Sequence, residues 1–404
     1  MCKEKKMRKV SELPVFAMGF RPFFLLGVLQ LLVLMVFWIG GWAGLWQLPE
    51  HVNAIYWHSH EMLFGFGVAI VAGFLLTASA NWTKTRGLHG ENLLLLVGLW
   101  LLGRAGFWAT ALGASAAYGW LDLAFIPGVF LVLAPTLIRA KKWHNITFLF
   151  WLALLFIGHV LFLVDWTGAW AGLGREGMYL ALDVVVLLMI QIGGRVIPFF
   201  TGRVFRDADI HKWVKVDRLA LATVILYVFC AFFLGRLEPI TGWVALAAGV
   251  LSIVRMKTWG SLLTWRKPIV WILHVAYLWL AFAYLLQAAA CVYWVPLSVA
   301  THAFTAGAMG VFVLGMISRV SMGHTGRPIK ASNIVTAAYV MILVAALARV
   351  VGPLISPGWY HNVISLSGTL WVLAYLFFFF WSLGSFFNRR SNFFFFFWSW
   401  HISK

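Results

Sequence analysis

Hydrophobic positions in this chain are gathered into long blocks, with the polar and basic residues in short segments between them. A block of about 20 apolar residues is the length a helix needs to cross a bilayer. Twelve such blocks follow one another, roughly at 23–43, 58–80, 92–112, 119–138, 146–165, 178–200, 219–235, 240–255, 268–291, 296–318, 332–353 and 359–384. They leave no stretch for a soluble domain. The pattern predicts an all-α fold: a polytopic membrane protein of twelve transmembrane helices, one domain over residues 1–385, and a tail over 386–404 to which no role is assigned.

Composition agrees. Of 404 residues, 62% are hydrophobic and 11% charged, and the mean hydropathy is +0.89, which excludes a chain of soluble domains. A net charge of +18 would suggest nucleic acid in a soluble protein, so the placement of the basic residues decides. With the amino terminus assigned to the cytoplasm, 27 of the 31 Lys and Arg lie in or beside cytoplasmic segments; the exceptions are Arg104, Arg175, Arg236 and Arg349. This is the positive-inside distribution. The charge then sets topology, with both termini cytoplasmic, and meets anionic lipid of the bilayer; nucleic acid binding is not expected. The first block follows the basic stretch "KEKKMRK", but it is about 21 residues long and lacks a small-residue cleavage site, so it is read as a retained span. Cys2, Cys230 and Cys291 stand far apart without CxxC or CxxCH spacing, which predicts no disulfide framework, iron–sulfur site or covalent haem.

Candidate chemistry enters with the histidines. In the expected topology His58 and His60 open span 2, His159 lies near the same end of span 5, His302 is about two turns into span 10, and His361 opens span 12. Five imidazoles therefore share one depth on the periplasmic side. An ionisable side chain within a span is costly unless it faces a partner or a cavity, and imidazole is a good ligand for haem iron and for copper. Taken singly, each of these residues can equally be an interfacial group or an interhelical hydrogen bond. His58 and His60 point about 200° apart on a helix, so they are expected to serve different roles: His58 shares a face with Glu61 and Met62, and His60 with Phe64 and Gly67.

An internal repeat organises these positions. "RVIPFFTGR" at 195–203 and "RVSMGHTGR" at 319–327 match at an offset of 124, and span 2 aligns on span 10 at an offset of 242, pairing His60 with His302, Gly65 with Gly307 and Gly73 with Gly315. The expectation is three four-span units, roughly 20–140, 141–260 and 261–385, with spans 2, 6 and 10 as counterparts around a common axis. His60 and His302 would then grip a haem b from both sides, while His58 with Glu61 and Met62 would form a second, copper-capable site or a proton route. At the cytoplasmic end Arg21, Arg195, Arg319, His324 and Arg327 gather. Guanidinium forks suit carboxylates and phosphates, so these residues are read as holding haem propionates, a quinone head group or a small anion, or else as lipid anchors.

The stretches "GFRPFF" (19–24), "WHSHEMLFGF" (57–66), "AGFLLTA" with "NWT" (72–83), "GGRVIPFFT" (193–201) and "HAFTAGAMGVFVLGMISRVSMGHTGRP" (302–328) resemble motifs of the NnrS family of bacterial inner-membrane proteins. The resemblance runs from about residue 14 to 385, while the phenylalanine-rich tail departs from it. It implies a twelve-span inner-membrane protein with haem and copper, linked to denitrification and to nitric oxide and nitrosative stress. It puts forward His58, His60, Glu61, Arg21, Arg195, His302, Arg319 and His324 as functional positions; the assignment of His58, His60, His302 and His324 to metal, of Glu61 to catalysis, and of Arg21, Arg195, Arg319 and Arg327 to cofactor binding is read from the residues themselves. The leading expectation is redox or nitrosyl chemistry at a periplasmic-side haem, with an electron donor that the sequence does not identify. The alternative is a transporter of a small anion or metal, its repeat units rocking about a midplane site.

Overall fold

The computed structural model describes residues 10–388. Among these residues the regular structure is helical, and twelve helices are long and apolar enough to cross a membrane. In chain order they are α1 (Phe20–Trp42), α2 (Ala54–Thr83), α3 (Gly90–Ala111), α4 (Ala116–Arg139), α5 (Trp143–Trp166), α6 (Gly174–Val204), α7 (Val214–Phe233), α8 (Pro239–Met256), α9 (Pro268–Cys291), α10 (Leu297–His324), α11 (Asn333–Val350) and α12 (Pro357–Phe387). Each expected block falls on one of them. The tail from residue 389 onward lies outside the described residues.

Three of the boundary differences share a cause. α2, α6 and α10 continue to Thr83, Val204 and His324, beyond the blocks expected to end at 80, 200 and 318. Their last turns carry threonine, glycine, arginine and histidine, so hydropathy stops while the backbone hydrogen bonding runs on. α2, α6, α9 and α10 form the interior, with 78, 89, 72 and 67% of their apolar windows buried, against 33% for α4 and α7. An inner helix meets protein on all sides, and there a polar side chain can find partners.

α2 and α10 share a change of helix type. α2 is α-helical to His60, π-helical over Glu61–Gly67 and α-helical again from Val68. α10 repeats this with His302, Ala303–Met309 and Gly310. The two π segments start 242 residues apart, the offset that aligns His60 on His302. Because a π turn bonds i to i+5, it advances the helix by an extra residue and changes which side chains face the interior.

α5 and α6 cross through paired glycines: a Cβ on Gly177 would stand 2.5 Å from the Gly158 carbonyl oxygen, and one on Gly158 2.8 Å from that of Gly177. Small residues let membrane helices approach closely where no hydrophobic drive exists between them, and this crossing seats the next residue, His159. Elsewhere buried charge ties helices together. In the α7–α8 connection Arg236 pairs with Asp183 of α6 and donates to the Tyr227 hydroxyl of α7 at 2.5 Å. Burial works against the charge of Arg236, but Asp183 and Tyr227 outweigh it and hold the guanidinium above its ordinary range. Arg255 of α8 likewise pairs with Asp217 and reaches the Tyr277 hydroxyl of α9 at 2.7 Å. Replacing Gly177 by alanine should overpack the α5–α6 crossing and cost about 1–3 kcal/mol, lowering the thermal midpoint in detergent; Gly98→Ala, on an open helix face, should not lower it.

Candidate metal centre

Three donor atoms from three helices converge near the start of α2. His60 Nε2 lies 3.1 Å from His159 Nε2 of α5 and 3.3 Å from Asp122 Oδ2 of α4, and His159 Nε2 is 3.4 Å from the same oxygen. Donors held about 2.0–2.1 Å from a first-row ion stand about 3.3–3.4 Å apart at the edges of a tetrahedron, so these separations match a coordination shell. Two imidazoles and a carboxylate, all buried, can hold a metal ion, and the donor types suit copper, zinc or iron.

An internal hydrogen bond between the rings would also bring them together, but it leaves His159 Nδ1 buried without a hydrogen-bond partner. Asp122 Oδ2 is met by Arg104 and still faces both Nε2 atoms. Two imidazole nitrogens and a carboxylate oxygen turned toward one point are a donor set that fits a metal.

The surroundings orient the ligands. Glu61 Oε1 lies 3.2 Å from His60 Nδ1. An Nδ1–H donated to this carboxylate leaves Nε2 as the lone-pair atom turned inward, the arrangement that backs metal-bound histidines. Glu61 also accepts from Gln30, from Arg104 of α3, and from Trp108 Nε1 at 3.0 Å. Arg104 ion-pairs with Asp122 as well, so one guanidinium bridges two carboxylates. Gly103 admits α4 here, since a Cβ at that position would collide with the Asp122 carboxylate. The Phe107 ring stacks on His60 with centroids 3.5 Å apart, and Phe64 stacks on His159 at 4.0 Å. With both imidazoles neutral, the group carries two negative charges and one positive, which leaves a deficit that a cation would balance.

Sequence alone sets His302 opposite His60; in the structure their inward nitrogens engage different partners. His302 Nδ1 donates to the Ser298 carbonyl at 2.7 Å, and its Nε2 accepts from Arg349 Nη2 of α11 at 2.9 Å. His58 stacks on Trp38 of α1 at 4.2 Å, and it joins Arg349 in acting electrostatically on His302. Glu61, expected on the face of His58, stands instead behind His60, because the helix passes into its π segment at this residue.

The arginine candidates and His324 do not gather on one point in the same way. Arg21 is fully buried and donates to the carbonyls of Pro14, Phe386 and Asn388 at 3.0–3.2 Å, tying the start of the chain to the end of α12. Arg195 reaches Asn145 Oδ1 at 2.9 Å. Arg319 lies over the Phe200 ring at 3.7 Å and Arg327 over Trp381 at 4.1 Å, while the His324 ring lies 5.5 Å from that of Phe20.

Asp122, Arg104 and Arg349 are the residues sequence reasoning passed over, and His159 was seen by depth alone. The signal lay in charge placement. Arg104, Arg236 and Arg349 break the positive-inside distribution, and each is held by a side chain of an inner helix: Glu61 of α2, Asp183 of α6 and His302 of α10. The remaining exception, Arg175, is 65% exposed beside Glu176.

Fold and site together define a multi-pass helical membrane protein that carries a buried two-histidine, one-carboxylate group. The family model described as NnrS protein matches residues 14–390, and the chain belongs to the NnrS family. No curated protein matches it in sequence. Replacing Arg104 by glutamine leaves two buried carboxylates without a counter-charge and should cost about 3–5 kcal/mol, read as a fall in thermal midpoint. Arg175→Gln, at an exposed pair, should change stability by about 0–1 kcal/mol.

Proposed function

We propose that this protein acts in the nitric oxide and nitrosative-stress response linked to denitrification, by redox or nitrosyl chemistry at a metal centre held by His60, His159 and Asp122. The observation that carries the reading is the convergence of these three buried donors at tetrahedral-edge separations. Family membership supports the same assignment. The positive-inside distribution supports a bacterial inner-membrane protein with cytoplasmic termini and this centre toward the periplasm. Nitric oxide, small and uncharged, reaches such a site through lipid. The matching π segments of α2 and α10 support the three-unit repeat.

The donor set suits copper or iron, and the family resemblance favours copper; bound there, either would supply a one-electron couple. The chain's own residues prepare the site. Glu61 holds the His60 proton at Nδ1, Arg104 balances both carboxylates and fixes their spacing, and Phe64, Phe107 and Phe162 exclude water from the imidazoles. A haem b gripped between His60 and His302 does not fit the side chains as they are arranged, because the Nε2 of each is turned to another partner. No step is assigned to it.

Elemental analysis of purified protein should find about one copper or iron per chain, lost on replacing His60 and His159 together by alanine. Glu61→Gln should weaken retention about ten- to a hundredfold. Nitric oxide should alter the optical or electron-paramagnetic spectrum of the metal-loaded protein. Full metal content in the double variant, or a spectrum blind to nitric oxide, would sink the reading.

A further inference from the structure

We propose that Arg349, positioned by His302, forms with His58 a second site that binds a small planar oxyanion of the nitrite, nitrate or bicarbonate type. The argument starts from the three guanidinium groups held against the inner helices. Arg104 is met by Glu61 and Asp122, and Arg236 by Asp183. Among the described residues no carboxylate lies within ion-pair distance of Arg349. Its partners are uncharged: the His302 Nε2 at 2.9 Å and the Tyr360 side chain. The position that aligns with Glu61 at the 242 offset is Ala303, the first residue of the second π segment. The third unit thus keeps the guanidinium and the histidine but lacks the counter-charge.

Arg349 is half-buried at the end of α11, so its guanidinium keeps an unmatched positive charge that an anion from the water can reach. Arg349 has five N–H donors, and the imidazole and the phenol occupy part of that fork. The rest present the planar, paired geometry that suits an oxyanion with two coplanar oxygens. His58, within electrostatic reach of Arg349, adds a polar atom: its Nδ1 is buried without a hydrogen-bond partner, and its ring is held flat against Trp38. His302 is oriented from behind by the Ser298 carbonyl at 2.7 Å. A guanidinium held in place by His302, with an unpartnered imidazole and a phenol nearby and no carboxylate among them, selects an anion over a cation. The first unit, with its two carboxylates, has the opposite preference. The proposal does not depend on metal at the His60 group.

The test is a titration of the full-length protein in nanodiscs with sodium nitrite, then nitrate, at constant ionic strength, following tryptophan fluorescence and thermal midpoint. The expected result is a saturable response, reported through Trp38, together with a rise in midpoint that chloride does not reproduce. Arg349→Gln should abolish the response, and Arg349→Lys, which replaces a fork by a point charge, should weaken it at least tenfold. Arg175→Gln should leave it unchanged. Ala303→Glu supplies from α10 the carboxylate that α2 already has, and should remove nitrite binding in a folded protein; it decides the matter if Arg349→Gln fails to fold. No saturable response in the unmodified protein, or nitrite binding of unmodified strength in either folded variant, overturns the proposal. Metal content measured on the same samples keeps this outcome separate from the fate of the metal centre.

Discussion

The cost of a charge withdrawn from water governs this structure. Arg104 sits deep in the bundle and is nearly inaccessible, so it must be met by negative charge; it is met twice, by Glu61 from α2 and Asp122 from α4. One side chain of α3 thereby fixes the spacing of its two neighbours. Apolar packing in lipid distinguishes poorly between one helix register and another, since lipid tails are as apolar as leucine. A pair of ions does distinguish, because any slip leaves a carboxylate or a guanidinium alone.

The metal-capable group follows from that clamp. Once Arg104 holds Asp122 and Glu61, the first lies beside His60 Nε2 and the second behind His60 Nδ1. α5 completes the set through its glycine crossing with α6, which brings His159 within 3.1 Å of His60. Four helices contribute, and none is interpretable alone. The same logic explains why the arginines at the other ends of the spans are built differently: Arg21, Arg319 and Arg327 are met by backbone carbonyls and aromatic rings, as suits groups near helix ends, where charge is cheaper to keep.

Helix type carries a second part of the design. In α2 and α10 the chain turns from α to π directly after a histidine, and glycines populate both π segments. The change of phase sends His60 and Glu61 into one group and His58 into another, although a straight α-helix would set His58 and Glu61 on a common face. Two adjacent clusters of different charge result from one short motif, one rich in carboxylate and the other holding Arg349 without one.

Twelve spans and the all-helical class were legible in the sequence because each depends on local composition and on the length of a bilayer. Span ends were less so, since hydropathy reports contact with lipid and the last turns of α2, α6 and α10 are polar helix. The four arginines outside the positive-inside pattern were visible as exceptions, and three of them, Arg104, Arg236 and Arg349, mark polar clusters on the inner helices. The sequence by itself could not give their partners. That His60 meets His159 and Asp122, that Glu61 stands behind it, and that His302 faces Arg349 depend on the packing of helices 40 to 100 residues apart and on the phase of a π turn. Hydrophobic periodicity carries no information about which neighbour a buried charge will choose; the tertiary structure decides it, because only there is the cost of leaving that charge unpaired felt.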